Sequence, residues 1–304
     1  MLALDVNPWE FRPHPEVWLL VGFLVAAYLY MVKVIGPKAV PAGAPVLERR
    51  QWVSFWTAIV VLWVASDWPM HDISEDYLYS VHMFQHMLLS YVMPPLALMA
   101  TPTWLARILI GDGRVYAGVR FFAKPVVAGL LFNFTVMMLH LPRIVNASVE
   151  SGPLHYSLHV LVVTTSLLMW LPVCGPLQEL RLGSAGAMIY LFLQSVVPTV
   201  PAGWLTFAES AIYEVYDRPV RLWGLSVTED QQLAGAIMKS LGGLYLWAIV
   251  IFLFFKRFAA RYHESHDYRR PGRMPAAEIT GNDDDPLTTA DVERAFARTN
   301  APSP

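Results

Sequence analysis

Long apolar stretches separated by short polar segments fill this chain from about residue 17 to residue 255. A helix needs roughly 17–25 predominantly apolar residues to cross the hydrocarbon core of a bilayer. The stretches of about that length are 17–35, 51–66, 80–101, 124–141, 154–172, 184–207 and 231–255. The pattern therefore predicts an all-α membrane protein whose fold is a bundle of seven transmembrane helices.

Prolines lie inside two of these predicted helices. Pro94 and Pro95 belong to the third, and Pro198 and Pro201 belong to the sixth. Proline lacks a backbone N–H and clashes with the preceding turn, so we expect both helices to be kinked or interrupted.

The composition agrees with a membrane protein and excludes several other classes. Hydrophobic residues make up 55% of the chain and charged residues 15%, with 11 Trp and 13 Tyr available as anchors at the lipid–water interface. The formal net charge of −2 indicates no polyanionic partner such as a nucleic acid. One cysteine, Cys174, excludes an intrachain disulfide and a metal site of several cysteines. We therefore expect the apolar helices to be embedded in a lipid bilayer.

The charges of the loops predict an orientation. Lys and Arg are in excess on the cytoplasmic side of membrane proteins. The first loop, the third loop and the segment after the last span are basic, with Lys38, Arg49, Arg50, Arg107, Arg114, Arg120, Lys124, Lys256 and Arg257. The second and sixth loops are acidic. We therefore expect the N-terminus outside and the C-terminus in the cytoplasm.

This topology divides the chain into three parts. Residues 1–16 form an extracytoplasmic segment, residues 17–258 the seven-helix domain, and residues 259–304 a cytoplasmic tail. The tail is rich in Pro, Ala, Thr and acidic residues, so we expect it to be largely disordered, with residues 288–298 as a candidate short helix.

Histidines gather at the outer ends of three predicted helices. His82 and His86 in the third, and His155 and His159 in the fifth, have a four-residue spacing that places both imidazoles of a pair on one helix face. His140 ends the fourth helix at the same level. Ionisable side chains in membrane helices are costly and usually functional. The pattern predicts that these five histidines form a metal site.

Methionines near these histidines point to copper. Imidazole binds Cu, Zn and Fe, whereas thioether sulfur selects Cu(I). Amides such as those of Gln85, Asn133 and Gln231 could orient the imidazole rings. The candidate additional ligands or orienting residues are Met137, Met238, Gln85, Asn133, Asp230, Gln231 and His71.

An ordered set of motifs between about Val17 and Phe255 resembles a known family. The motifs are His82-x-x-Gln85-His86 with Pro94-Pro95 and Thr101-Pro102, His140-x-Pro142, His155-x-x-x-His159 with Trp170-x-Pro172, Thr206-Phe207-Ala208 with Ile212-Tyr213-x-x-Tyr216, and Asp230-Gln231 with Gly235 and Met238. This set is similar to that of the polytopic bacterial cytochrome c oxidase assembly factors called CtaG. Lys239 and the C-terminal tail depart from the family pattern.

The resemblance implies a function. A member of this family is a multi-pass protein of the bacterial cell membrane that is needed to build haem-copper oxidases, through copper handling for the catalytic centre. It implies a protein that is not an enzyme. The implied partners are haem-copper oxidase subunits and an extracytoplasmic copper chaperone that donates the ion.

Two other functions remain open at this point. A b-type cytochrome would hold haem between histidines of facing helices and carry electrons. The four-residue spacing speaks against it, because a two-haem bundle would place its ligands near opposite membrane faces. A structural subunit of a respiratory complex would use the histidines only for hydrogen bonds between helices.

Overall fold

The structure is a computed structural model that describes residues 7–267 and residue 289. The chain divides into two compact units, residues 1–255 and residues 256–304. No β-strand occurs in the described residues, so the prediction of an all-α protein is confirmed. The tail was predicted to begin at residue 259, but the last helix continues to Asp267. The rest of the tail, with the candidate helix at 288–298, lies outside the described residues except for Thr289.

Helices account for most of the described chain. In chain order they are α1 (Pro15–Ala39), α2 (Arg49–Ser66), α3 (Met70–Asp76), α4 (Tyr79–Ala100), α5 (Thr103–Ile110), α6 (Arg114–Phe122), α7 (Pro125–Leu139), α8 (Pro142–Glu150), α9 (Gly152–Cys174), α10 (Ser184–Val196), α11 (Thr199–Thr206), α12 (Val227–Ile237) and α13 (Gly243–Asp267). Five helical stretches of the described residues are long and apolar enough to cross a membrane. The number becomes seven if each of two bent pairs, α4 with α5 and α6 with α7, counts as one span. The chain is therefore a multi-pass helical membrane protein with five to seven candidate spans.

Helix α4 is the centre of the bundle. Its first half, Tyr79–Met87, packs against α3 and α12, and its second half, Met93–Ala100, packs against α2 and α9. Helix α9 also packs along α7. The main buried cluster of the described residues joins α4, α7, α9 and α12 through side chains that include Tyr79, Phe132, Trp170 and Ala234.

A π-helical turn at Leu88–Val92 precedes the two prolines of α4. The carbonyl of Ser90 would normally accept from the N–H of residue 94, but Pro94 has none. The indole of Trp170 in α9 donates to this carbonyl across 3.0 Å. The expected interruption of the third span is thus a π turn whose free carbonyl is satisfied by the neighbouring helix.

The sixth predicted span is interrupted at Pro198, as expected, whereas Pro201 lies within the first turn of α11; the whole stretch Ser184–Thr206 still counts as one candidate span. Helix α10 ends at Val196, and α11 begins at Thr199 after Pro198. Another π turn, Met238–Gly242, joins α12 to α13 and carries Lys239, whose Nζ donates to Thr199 Oγ1 across 2.6 Å.

Candidate metal centre

Four histidines from α4 and α9 form one cluster. His82, His155 and His159 offer ring nitrogens that lie within 4.8 Å of one another. The ring of His86 joins them, with its centroid 4.5 Å from that of His82 and 4.8 Å from that of His159. We call these four residues, together with His140, the inner cluster.

The local structure explains why the two pairs meet. His82 and His86 are the fourth and eighth residues of α4, and His155 and His159 are the fourth and eighth of α9. The first members lie 5.6 Å apart and the second members 4.8 Å apart between ring centroids, so the two helices run in the same direction here. Each four-residue spacing places both rings on the face that meets the other helix.

His140 enters from the end of α7. Its Nδ1 lies 2.7 Å from the carbonyl oxygen of Val136. Because a carbonyl can only accept, Nδ1 carries the proton, and Nε2 of the neutral ring keeps its lone pair. The hydroxyl of Tyr213 donates to the backbone carbonyl of His140 across 2.9 Å and fixes the residue.

All five histidines line one small cavity. Its volume is about 50 Å³, and Met83, Met87 and Met238 also line it. A cavity needs roughly 10–15 Å³ to hold one water molecule, so this volume holds an ion with a few waters. A porphyrin ring is far larger than the cavity.

Several ring nitrogens of the cluster are buried without a partner. His82 Nδ1, His140 Nε2 and His159 Nε2 find no hydrogen-bond partner in the described part of the chain. An unpaired buried polar atom costs roughly 1–3 kcal/mol, so such atoms are rare unless they serve a ligand. Unpaired imidazole nitrogens around a small cavity fit a late first-row transition metal ion.

A carboxylate stands at the edge of the inner cluster. Glu75 Oε1, in α3, lies 2.5 Å from His155 Nε2 and 3.6 Å from His71 Nε2. The shorter contact lacks the alignment of a regular hydrogen bond. Glu75 was not among the candidate ligands predicted from the sequence. The four-residue spacing from His71 was the available signal, since it places both side chains on one face of α3.

The side chain of Gln85 connects α4 to α2 and α3 and lies next to His71. Its Nε2 donates to the carbonyl of Ala65 across 2.6 Å and lies 3.4 Å from His71 Nδ1, and its Oε1 accepts from Ser74 Oγ. Gln85 therefore contacts a histidine, and that histidine is His71.

The other polar candidates contact the backbone or a neighbouring amide. Asp230 accepts from the backbone N–H groups of Tyr79 and Ser80. Gln231 bonds to the backbone of Ile212 and Tyr213, and Asn133 donates to Gly129 and Gln194. These contacts fix the helices and the loop that carry the histidines.

The two methionine candidates differ in position. Met238 is buried and lines the cavity, whereas Met137 is 36% exposed and does not line it. Met83 and Met87 also line the cavity, and each follows a histidine, His82 or His86, by one residue along α4.

A second, larger cavity adjoins the cluster on its other side. This lateral groove has a volume of about 500 Å³ and runs between α1, α2, α4 and α9, with mostly apolar walls. His71, His155 and His159 line it. His155 and His159 therefore separate the groove from the small cavity, since they line both.

The N-terminal segment folds over the same end of the bundle. Arg12 contacts Asp76 across 2.5 Å, and His14 Nε2 lies 3.2 Å from Asp72 Oδ2. Burial lowers the pKa of His14, but the hydrogen bond and charge of Asp72, with a further contribution from Glu16, outweigh it, so the pKa is raised above its ordinary value. Asp72 and Asp76 of α3 are thus paired with basic side chains of the N-terminal segment.

Comparison with known proteins identifies the family of the chain. No curated protein and no solved structure matches the chain. The family model described as cytochrome c oxidase caa3 assembly factor matches residues 26–260, a region that contains the whole inner cluster and Glu75. The match covers most of the chain and agrees with the resemblance found in the motifs. This chain therefore belongs to the family of cytochrome c oxidase caa3 assembly factors.

Proposed function

We propose that this chain is a non-catalytic assembly factor that holds a copper ion in the inner cluster and supports its insertion into a caa3-type oxidase. The observation that carries the proposal is the set of three ring nitrogens, from His82, His155 and His159, that lie within 4.8 Å of one another. His86 and His140 border the same cavity and extend the set of donors.

The donor set favours copper over other ions. Neutral imidazoles suit Cu, Zn and Fe, and carboxylates that would favour harder ions do not line the small cavity. The sulfurs of Met83, Met87 and Met238 lie around the same space, and thioethers select Cu(I). Cu(I) is therefore the proposed cargo.

The proposed orientation places the inner cluster near the outer face of a bacterial plasma membrane. The basic loops of the chain define the opposite, cytoplasmic face under a topology of seven spans. This placement gives an extracytoplasmic copper chaperone access to the cluster. The recipient is an oxidase subunit in the same membrane.

The alternatives gain no support from the geometry. The cavity is too small for the haem of a b-type cytochrome, and four of its five histidines lie at one end of the two parallel helices α4 and α9. A purely structural role would pair the ring nitrogens with each other or with the backbone, yet three of them find no partner in the described residues.

The test measures Cu(I) binding by the purified full-length chain and by two histidine variants. His159→Ala should lose Cu(I) affinity by at least about tenfold, with unchanged abundance in the membrane and reduced activity of the oxidase in the host. His14→Ala removes a histidine that lies outside the small cavity and should bind Cu(I) like the wild type. Normal Cu(I) binding and oxidase activity in abundant His159→Ala protein would refute the proposal.

A further inference from the structure

We propose that His71 and Glu75 form a second cation site, the outer station, which shares His155 with the inner cluster and loads it. This inference rests on the proposed function, because it concerns how the ion reaches the inner cluster. The outer station lies on α3, and the inner cluster lies on α4, α7 and α9.

The geometry of Glu75 carries the proposal. One carboxylate oxygen, Oε1, lies 3.6 Å from His71 Nε2 and 2.5 Å from His155 Nε2. The same oxygen is inaccessible to water and has no regular hydrogen bond in the described chain. A buried carboxylate oxygen between two imidazole nitrogens is a familiar donor set for a transition metal ion.

The position of Glu75 and His71 nearer the protein surface is a second, independent support for the proposal. The side chain of Glu75 is 32% exposed, whereas that of His155 is 6% exposed. His71 lines the lateral groove but not the small cavity, while His155 lines both. A cation that arrives at the surface of α3 therefore meets Glu75 and His71 first, and His155 next.

The shared residue allows the ion to move by exchange of ligands. An ion bound to His71, Glu75 and His155 can exchange the first two for His82 and His159 while His155 stays bound. The ion then keeps at least one protein ligand throughout. Carboxylate oxygen is a poor ligand for Cu(I) compared with imidazole and thioether. The outer station should therefore hold the ion briefly and affect the rate of loading more than the final occupancy.

The experiment follows loading of the full-length chain in detergent with Cu(I) supplied as a coloured chelator complex. Stopped-flow absorbance gives the rate of transfer, and metal analysis at equilibrium gives the final occupancy. The variants are Glu75→Gln and His71→Gln, which keep side-chain size and hydrogen-bonding capacity. The matched control is Glu209→Gln, which removes the same charge from an exposed position in the acidic loop after α11.

We expect Glu75→Gln and His71→Gln to take up Cu(I) about tenfold more slowly than the control, because each removes a group that attracts or binds the ion before it reaches the inner cluster. Their final occupancy should equal that of the wild type, which also shows that the inner cluster is intact. Loading at the rate of the control would overturn the outer station and leave the proposed function standing. Loss of final occupancy in Glu75→Gln would also overturn it, because Glu75 would then hold the ion permanently. A wild-type chain that takes up no Cu(I) would overturn both proposals.

Discussion

Asp230 Oδ2 lies 2.7 Å from the backbone nitrogen of Tyr79, although 151 residues separate the two in the chain. Asp230 Oδ1 accepts from the next backbone N–H, that of Ser80. These are free N–H groups at the start of α4, and leaving them unpaired would be costly in a buried setting. Asp230 of α12 thus caps the helix that carries His82 and His86.

The first prediction concerns this cap. Asp230→Asn replaces one acceptor oxygen by an amide that cannot accept, so one buried N–H loses its partner, at a cost of about 1–3 kcal/mol. Thermal unfolding of the detergent-solubilised protein should show a lowered midpoint. Glu229→Gln, at the adjacent exposed position, should leave the midpoint unchanged, because glutamine also completes a capping box. Equal midpoints for the two variants would show that Asp230 does not stabilise α4.

The second prediction concerns the close approach of α11 and α12. A Cβ added at Gly235 would lie 2.6 Å from the carbonyl oxygen of Ala202 and 2.7 Å from the backbone nitrogen of Thr206. Backbone atoms cannot move aside easily, so Gly235→Ala should destabilise the protein by about 1–3 kcal/mol. Gly203→Ala on α11 meets nothing within 4 Å and should be neutral or stabilising. Unfolding midpoints of the two alanine variants provide the comparison, and a tolerated Gly235→Ala would contradict the packing described.

The third prediction concerns the position of His140. Tyr213→Phe removes the hydroxyl that donates to the His140 carbonyl and should weaken Cu(I) affinity by about tenfold, as is usual for residues that orient metal ligands. Competition with a Cu(I) chelator measures the affinity. Tyr190→Phe provides the matched control: it also removes a buried hydroxyl that donates to a backbone carbonyl, that of Met169, but Tyr190 does not line the cavity, so the affinity should be unchanged. An unchanged affinity of Tyr213→Phe would mean that the hydroxyl does not position His140.

The fourth prediction concerns pH and the N-terminal segment. Since the folded-state pKa of His14 is raised, the stability it contributes is fully present below its ordinary pKa and is lost as the pH rises through the raised value. Hydrogen exchange of residues 7–14 should therefore become faster, beyond its intrinsic pH dependence, as the pH rises through that range. An NMR titration should show that Asp72→Asn lowers the pKa of His14. A pKa that is insensitive to Asp72→Asn would exclude this ion pair as the cause.

Much of the fold was predictable because it depends on local patterns. Apolar length predicted the ends of the long helical stretches within about four residues, except that α13 continues to Asp267, well beyond the predicted end at residue 255. The four-residue spacing of His82 with His86 predicted a shared face. Pro198 predicted the break between α10 and α11, because the missing N–H acts at its own position. Each of these inferences needs only neighbouring residues.

The roles of several residues depend on which helices meet, and spacing within one helix does not contain that information. Asp230 and Gln231 look like orienting residues in the sequence, yet they bond to backbone atoms of α4 and of the loop around Tyr213. Glu75 looked like one more charge of an acidic loop. Only the packing of α3 on α4 brings it to His155.

The π turn at Leu88–Val92 divides α4 into two parts whose side chains point in different directions around the helix axis. A π turn contains one more residue than an α turn, and each residue of an α-helix turns the chain by about 100°. The face that carries His82 and His86 before the turn is therefore not aligned with the apolar face of Met93–Ala100 after it. Removal of one residue within Leu88–Val92 would rotate the part of the helix that carries His82 and His86 by about 100° relative to the part after the turn, so both histidines would leave the face that meets α9. The metal centre thus depends on an irregularity of the backbone as much as on the identity of its ligands.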